Sequence, residues 1–200
     1  FDDLLAREGG KLSRATNTRC HLILKWVDDI IRDPRVLDPV QSILGPDILC
    51  WASGFFAKQP NDGTFISWHQ DATYWGLSSN DVVSAWIALS ASTPLSGCMR
   101  VVPGTHREQI AHHDTHDPAN LLSRGQEIAV EVNEADAVDV ALAPGQMSLH
   151  HVLIFHGSQQ NRADDARIGL VVRYIPTHLR QLSGMRDTAM LVRGEDRYGH

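Results

Sequence analysis

The chain has 200 residues, 42% of them apolar, with a formal net charge of −6 and a sequence pI near 6.0. That is enough chain for one domain with a buried core, and too apolar a composition for disorder. The acidic balance argues against a broad nucleic-acid surface, and no apolar run approaches the length of a membrane span.

The chain begins at Phe1 rather than Met and carries no visible secretory leader, so an N-terminal region is expected to be absent. Three widely spaced cysteines, Cys20, Cys50 and Cys98, form neither a disulfide framework nor a zinc ribbon. A reducing, cytoplasmic setting is expected from that usage. No feature of the sequence specifies an oligomeric state.

In chain order, the first 20 residues read as loop or frayed helix. HLILKWVDDII then sets Leu22, Trp26 and Ile30 four apart with Ile23, Val27 and Ile31 beside them, which is helical spacing ended by Pro34. DPRVLDPVQSILG predicts a second short helix, with Gly45 as its C-cap. After Gly45 come eight short β-rich runs: ILCWASGFFAK, FISWHQ, VVSAWIALS, CMRVVPGT, EIAVEV, VDVAL, MSLHHVLIFH and RIGLVVRYIPT. Their spacing predicts a β-sandwich or barrel, with the helices covering one outer face. In RIGLVVRYI, alternation separates an apolar face (Ile168, Leu170, Val172, Tyr174) from a mixed one (Arg167, Gly169, Val171, Arg173, Ile175). The apolar face suits packing under helices. The mixed face suits a polar-lined interior pocket.

Histidine is abundant, 11 residues, and eight of them fall in three places. WHQD sets His69 and Asp71 two apart. HREQIAHHDTHD holds His106, His112, His113 and His116 in what reads as a solvated loop. LHHVLIFHGSQQN holds His150, His151 and His156. In a strand, residues i and i+2 point to one side. His69 and Asp71 therefore read as a surface coincidence, a buried ion pair, or two-thirds of a metal site. Two histidines and one carboxylate on one face of a metal form the facial triad of non-haem Fe(II) oxygenases.

SWHQD, followed by VVSAWIALS, SGCMRVVPGTH, FHGSQQN and an arginine eleven residues beyond the last histidine, resembles the phytanoyl-CoA dioxygenase family. The similarity runs from about Ile48 to Pro176. It implies a mainly β fold, a double-stranded β-helix (jelly-roll, cupin-like) core with flanking helices. It implies one 2-oxoglutarate oxygenase domain over 1–200: a helical cover at about 21–45, a core at about 48–176 and a tail at 177–200. It also implies Fe(II), 2-oxoglutarate and dioxygen as cofactor and co-substrates. By this resemblance His69, Asp71 and His156 are the metal ligands and catalytic centre, and Arg167 binds the far carboxylate of 2-oxoglutarate. Ser158, Trp86 and Gln70 match positions lining the co-substrate, and His151 a position near the distal ligand. For Arg167 the competing reading is a salt bridge with Asp164 or Asp165. Halogenating relatives replace the carboxylate ligand with Gly or Ala, so Asp71 implies hydroxylation.

The expected substrate is a small polar molecule, of secondary-metabolite or phosphonate type, since the scattered arginines give no patch for an acyl-CoA. Arg173 shares the Arg167 face by parity and is a candidate for an anionic substrate group; the alternative is an internal ion pair. Arg100 is a second candidate, and Tyr74 and Trp75, directly after the ligands, are candidates for the substrate wall. The loop 106–127 is a candidate lid. Two other classes stay open: a cupin-like metal enzyme that does not use 2-oxoglutarate, and a non-catalytic ligand-binding relative.

Overall fold

Eight antiparallel strands build the core around the candidate site. In the computed structural model, which describes residues 1–10, 12–184 and 187–199, the strands are β1 (Ile48–Lys58), β2 (Ile66–His69), β3 (Val83–Ala88), β4 (Met99–Val102), β5 (His112–Asp114), β6 (Gln126–Ile128), β7 (Val138–Val140), β8 (Met147–His151), β9 (Phe155–Ser158), β10 (Arg167–Pro176) and β11 (Met190–Arg193). One sheet runs β11-β1-β10-β3-β8 and a second runs β2-β9-β4-β7; β5 and β6 form a separate hairpin. Without β11 and the hairpin, two four-stranded sheets face each other as a jelly roll.

Four helices precede the strands: α1 (Asp2–Arg7), α2 (Arg14–Asn17), α3 (Lys25–Arg32) and α4 (Pro34–Leu44). Asp33 separates the last two, and its carboxylate accepts the Arg35 backbone N–H at 2.8 Å while Pro34 opens α4. The predicted helix over 21–31 begins later than its periodicity suggests. Cys20 and His21 are buried and tied to Ser53 of β1, which holds residues 20–22 in a 3-10 turn and leaves Leu22 and Ile23 exposed. Val27, Ile31, Val36, Leu37 and Val40 then cover Val83, Ala85, Ile87, Leu170, Val172 and Tyr174 on the outer face of the larger sheet. The buried Tyr174 hydroxyl donates to the Ile31 carbonyl at 3.0 Å, joining sheet to helix. This is the division of β10 into faces that alternation predicts.

Three strand readings differ from the structure. MSLHHVLIFH is not one strand: it turns at Val152–Ile154 and supplies β8 to one sheet and β9 to the other. Apolar Val152 and Leu153 are buried at that corner, so the turn carries none of the usual Gly or Pro punctuation. EIAVEV is strand only through Ile128, and it pairs with β5 outside the jelly roll. Asp71 lies beyond the end of β2, at the start of a 3-10 turn (Asp71–Tyr74), so strand parity is not what aims it. Of the tail, Met190, Leu191 and Val192 dock as β11 on the edge of β1, and positions 185, 186 and 200 lie outside the described residues. Among the described residues no helix is long and apolar enough to cross a membrane.

Gly169, on the inner face of β10, pairs with Ala88 and lies against the Trp86 indole; an added Cβ would overlap the ring. Gly169→Ala is therefore expected to destabilise the fold by about 1–3 kcal/mol, the usual range for overpacking. Urea unfolding measures this; an unchanged midpoint would show that Trp86 is free to move.

Candidate metal centre

His69 closes β2 and His156 lies in β9, directly opposite it in register, with ring centroids 4.0 Å apart. Each Nδ1 lies against a backbone carbonyl two residues back: Ser67 at 2.9 Å for His69, and Ile154 at 3.0 Å for His156. A carbonyl only accepts, so these bonds assign the proton to Nδ1 in both rings. In the neutral form of each ring the Nε2 lone pair is then free. The Asp71 carboxylate completes the cluster, with Oδ1 3.5 Å from His69 Nε2, and one ligand atom from each of the three residues lies within 4.8 Å of the others.

Gln70 fixes the turn that carries Asp71. Its amide donates to the carbonyls of Glu108 and Leu153 at 2.7 and 2.6 Å, and its Oε1 accepts the Ile110 N–H at 2.7 Å. Its backbone N–H donates to His112 Nε2 at 2.9 Å, while His112 Nδ1 meets the Ile110 carbonyl. Asp71's own N–H donates to the Val152 carbonyl at the β8–β9 corner. The ligand turn is held from three directions.

The electrostatics are those of a site built around a cation. Burial acts to raise the Asp71 pKa, but His69, His156 and Arg173 overcome it and hold the carboxyl well below its usual range. Burial pushes His156 well below an ordinary histidine, and pushes the neighbouring His150 down to about 4. Metal binding needs neutral imidazoles, and in that form two Nε2 lone pairs and a carboxylate face one another. They repel unless a positive charge stands between them. Two imidazoles and one carboxylate suit Fe(II) and leave further coordination positions open.

The polar atoms around this cluster are short of partners. Among the described residues, six buried side-chain polar atoms lack a hydrogen bond. Five of them, in Ser148, His150, Arg167 (two atoms) and Arg173, belong to inner-face positions of β8 and β10. Arg167 is 1% exposed, its guanidinium lies 5.3 Å from the Trp86 ring centre, and burial lowers its pKa to about 10. Neither Asp164 nor Asp165 pairs with it among the described residues. Ser158, also in the pocket, accepts from Lys58 Nζ at 2.6 Å, so its own hydroxyl proton is available to the pocket. Lys58 is fully buried, and burial, then the charge of Arg167, push its pKa down to about 7.

His69, Asp71, His156, Arg167, Ser158, Trp86 and Arg173 thus line one pocket, together with His150 and apolar Phe56, Met99 and Val171. The other candidates lie elsewhere. Gln70 does not face the pocket, because its amide is spent on backbone groups behind the ligands. Arg100 points outward from β4, over Trp68, and pairs with Glu134 and Asp139. Tyr74 is 40% exposed and donates to Asp114. Trp75 lies outside the metal pocket, packed against Trp51 and Arg173. His151 accepts the Leu153 N–H and sits beside His106, so it braces the β8–β9 corner. The sequence reading missed Lys58, which looks like an ordinary surface lysine, and His112, which sat in an apparently solvated loop.

Comparison with known proteins places the chain. The family model for phytanoyl-CoA dioxygenase (PhyH) matches residues 9–169. The chain belongs to the phytanoyl-CoA dioxygenase family. A probable alpha-ketoglutarate-dependent hypophosphite dioxygenase of Stutzerimonas stutzeri is 27% identical over 158 residues, covering 77% of this chain and 54% of that protein. The chain spans about half the length of the curated relatives it matches. Among solved structures, the apo form of the non-heme monooxygenase ThoJ aligns with a TM-score of 0.84 and 37% identity, over 96% of this chain and 71% of that one. The ThoJ–Ni complex aligns at 0.77 and 34%, over 96% and 70%.

For this phytanoyl-CoA dioxygenase family member, metal affinity should depend both on the three side chains and on what holds them. His69→Ala and Asp71→Ala are expected to abolish the visible absorption of bound Co(II). Gln70→Ala and His112→Ala are expected to weaken Co(II) on the order of 10–100-fold, the usual cost of losing a residue that orients a ligand. Titration of Co(II) into each variant measures this; undiminished binding in His69→Ala would contradict the ligand set.

Proposed function

We propose that this chain carries the catalytic centre of an Fe(II)- and 2-oxoglutarate-dependent dioxygenase that hydroxylates an unactivated C–H bond of a small polar molecule. The observation that carries the reading is the pair of Nδ1-protonated histidines facing Asp71, with the unpartnered Arg167 guanidinium in the same pocket. The donors fit Fe(II) and the orphaned guanidinium fits a carboxylate. The bound metal and co-substrate would supply oxidative decarboxylation of 2-oxoglutarate to succinate, coupled to hydroxylation.

The remaining roles follow from this chain's own residues. His69, Asp71 and His156 would hold the metal. Arg167 would bind the C5 carboxylate of 2-oxoglutarate, its planar guanidinium offering two N–H groups at once. Trp86 supports that guanidinium from one side, and Ser158 would donate its hydroxyl proton to the same carboxylate because Lys58 already donates to its oxygen. Phe56, Met99 and Val171 line the pocket and limit its water. With a metal bound, Asp71 would take the coordination position that a halide needs, which favours hydroxylation over halogenation. Arg167, whose Nε and Nη2 have no hydrogen-bond partner among the described residues, favours 2-oxoglutarate use over a cupin-like reaction without it. Three buried free cysteines support a reducing, cytoplasmic setting. The elements together support one oxygenase domain.

Anaerobic addition of Fe(II) and 2-oxoglutarate is expected to give the visible charge-transfer band of a chelated keto acid. No band from folded, metal-loaded protein would overturn the reading. Hydrogen bonds to charged groups contribute about 1.5–3 kcal/mol each, so Arg167→Ala should weaken 2-oxoglutarate by at least roughly tenfold.

Lys58 adds a pH signature. With its free pKa near 7, it is mostly neutral at pH 8, and an arriving dianion favours the ammonium form. Co-substrate binding at pH 8 is therefore expected to take up as much as one proton, an uptake that vanishes below pH 6, where Lys58 is already charged. Calorimetry in buffers of different ionisation enthalpy measures it. Lys58→Met should remove it; uptake that persists there would assign it to another group.

A further inference from the structure

A second arginine lies on the inner face of β10. Arg173 is six residues beyond Arg167, about 20 Å along the strand at roughly 3.3 Å per residue. The two guanidinium groups sit in different surroundings. Arg173 acts electrostatically on Asp71 and His150, whereas Arg167 acts on Lys58. A five-carbon dicarboxylate held by Arg167 leaves Arg173 without a ligand.

Arg173 makes no hydrogen bond or close ion pair among the described residues, although its charge reaches Asp71. Its Nε is buried without a hydrogen bond, and no ion pair reaches it among the described residues. The internal ion pair, the alternative reading for Arg173, has no contact within ion-pair distance among those residues. Asp187, which lies against Trp51, is committed to Arg19 and to the Trp51 indole N–H. What Arg173 does have is a platform: its guanidinium lies 5.0 Å from the centre of the Trp75 ring, and Trp75 is braced edge-on by Trp51 at 5.0 Å. Stacking occupies a face of a guanidinium and leaves its N–H edges free for a planar or tetrahedral oxyanion. Arg173 borders both the metal pocket and the larger groove that opens beside Trp51 and Trp75.

A buried donor without a partner costs about 1–3 kcal/mol, more for a charged group, and that cost disappears when a ligand supplies the acceptor. We propose that Arg173, on its Trp75 platform, is the anchor for an oxyanion of the primary substrate, a carboxylate or phosphonate, at the junction of groove and metal pocket and separate from the co-substrate's Arg167. This rests on the dioxygenase reading and adds the substrate class. The substrate enters from the groove, its anionic end stops at Arg173, and its C–H end lies toward His69, Asp71 and His156.

The test is calorimetric titration of methylphosphonate and of acetate, with acetamide as the neutral control, into the anaerobic Fe(II)–2-oxoglutarate protein at constant ionic strength. Saturable binding of at least one oxyanion and none of acetamide is expected, and which oxyanion binds identifies the class. Arg173→Gln should weaken that binding at least tenfold and Arg173→Lys should retain part of it, each read in protein whose charge-transfer band shows metal and 2-oxoglutarate bound. Equal binding of acetamide, oxyanion binding unaltered in Arg173→Gln, or no oxyanion binding with the band present overturns the proposal. Absence of the band in the unmodified protein is the separate failure of the dioxygenase reading. The same titrations on the protein without metal then decide the Arg173 site, with the same outcomes for and against.

Discussion

The pairing of β2 with β9 is the constraint on which the rest depends. It sets His69 opposite His156, and the carbonyls of Ser67 and Ile154 fix both rings with Nδ1 protonated. Both Nε2 lone pairs then meet the Asp71 carboxylate across a gap. Three electron-rich groups buried at that distance repel one another, and burial alone would favour protonating the acid. A cation at their centre removes the conflict. The Gln70 amide and His112 keep the arrangement from relaxing by tying the ligand turn to backbone groups of the 108–112 segment and the β8–β9 corner.

The inner face of β10 supplies the second half of the site by the same logic. Protein interiors rarely leave polar atoms unpaired. Here five such atoms gather on two strands, and four of them belong to residues that line one pocket. Arg167, with Ser158 and Lys58 behind it, forms one cationic end, and Arg173 on Trp75 forms another. Gly169 lets Trp86 pack against the strand, and Trp86 in turn supports Arg167. Stability and function are coupled through these contacts, since the outer face of the same strand, through Leu170, Val172 and Tyr174, holds the helices.

Much of this was legible in the sequence because it rests on period and order. Alternation in RIGLVVRYI sorted the helix-facing residues from the pocket-facing arginines. The resemblance carried by HxD, GCM-x-VVPGTH and HGSxxN pointed to His69, Asp71, His156 and Arg167, which the structure gathers in one pocket. What stayed hidden depends on contacts between distant segments. Gln70 sits between two ligands, yet its amide is drawn to Glu108, Ile110 and Leu153, a choice no local pattern reveals. His112 lies in a polar loop that a hairpin with β6 brings against the ligand turn. Lysine is seldom fully buried, so Lys58 gave no sign of its place behind Ser158. Arg100 has the right neighbours in sequence, but its side chain is turned to the outer surface. The β8–β9 corner is apolar throughout, so the sequence read it as continuous strand.

The central claim is that His69, Asp71 and His156 hold one metal in a pocket whose far end is Arg167. Anomalous diffraction at the iron edge, from crystals grown anaerobically with Fe(II) and 2-oxoglutarate, tests it most directly. The account predicts one strong peak bonded to His69 Nε2, an Asp71 carboxylate oxygen and His156 Nε2, with co-substrate density running from that peak to the Arg167 guanidinium. A peak at His112, His113 and His116 instead, or co-substrate density that bypasses Arg167, would contradict it.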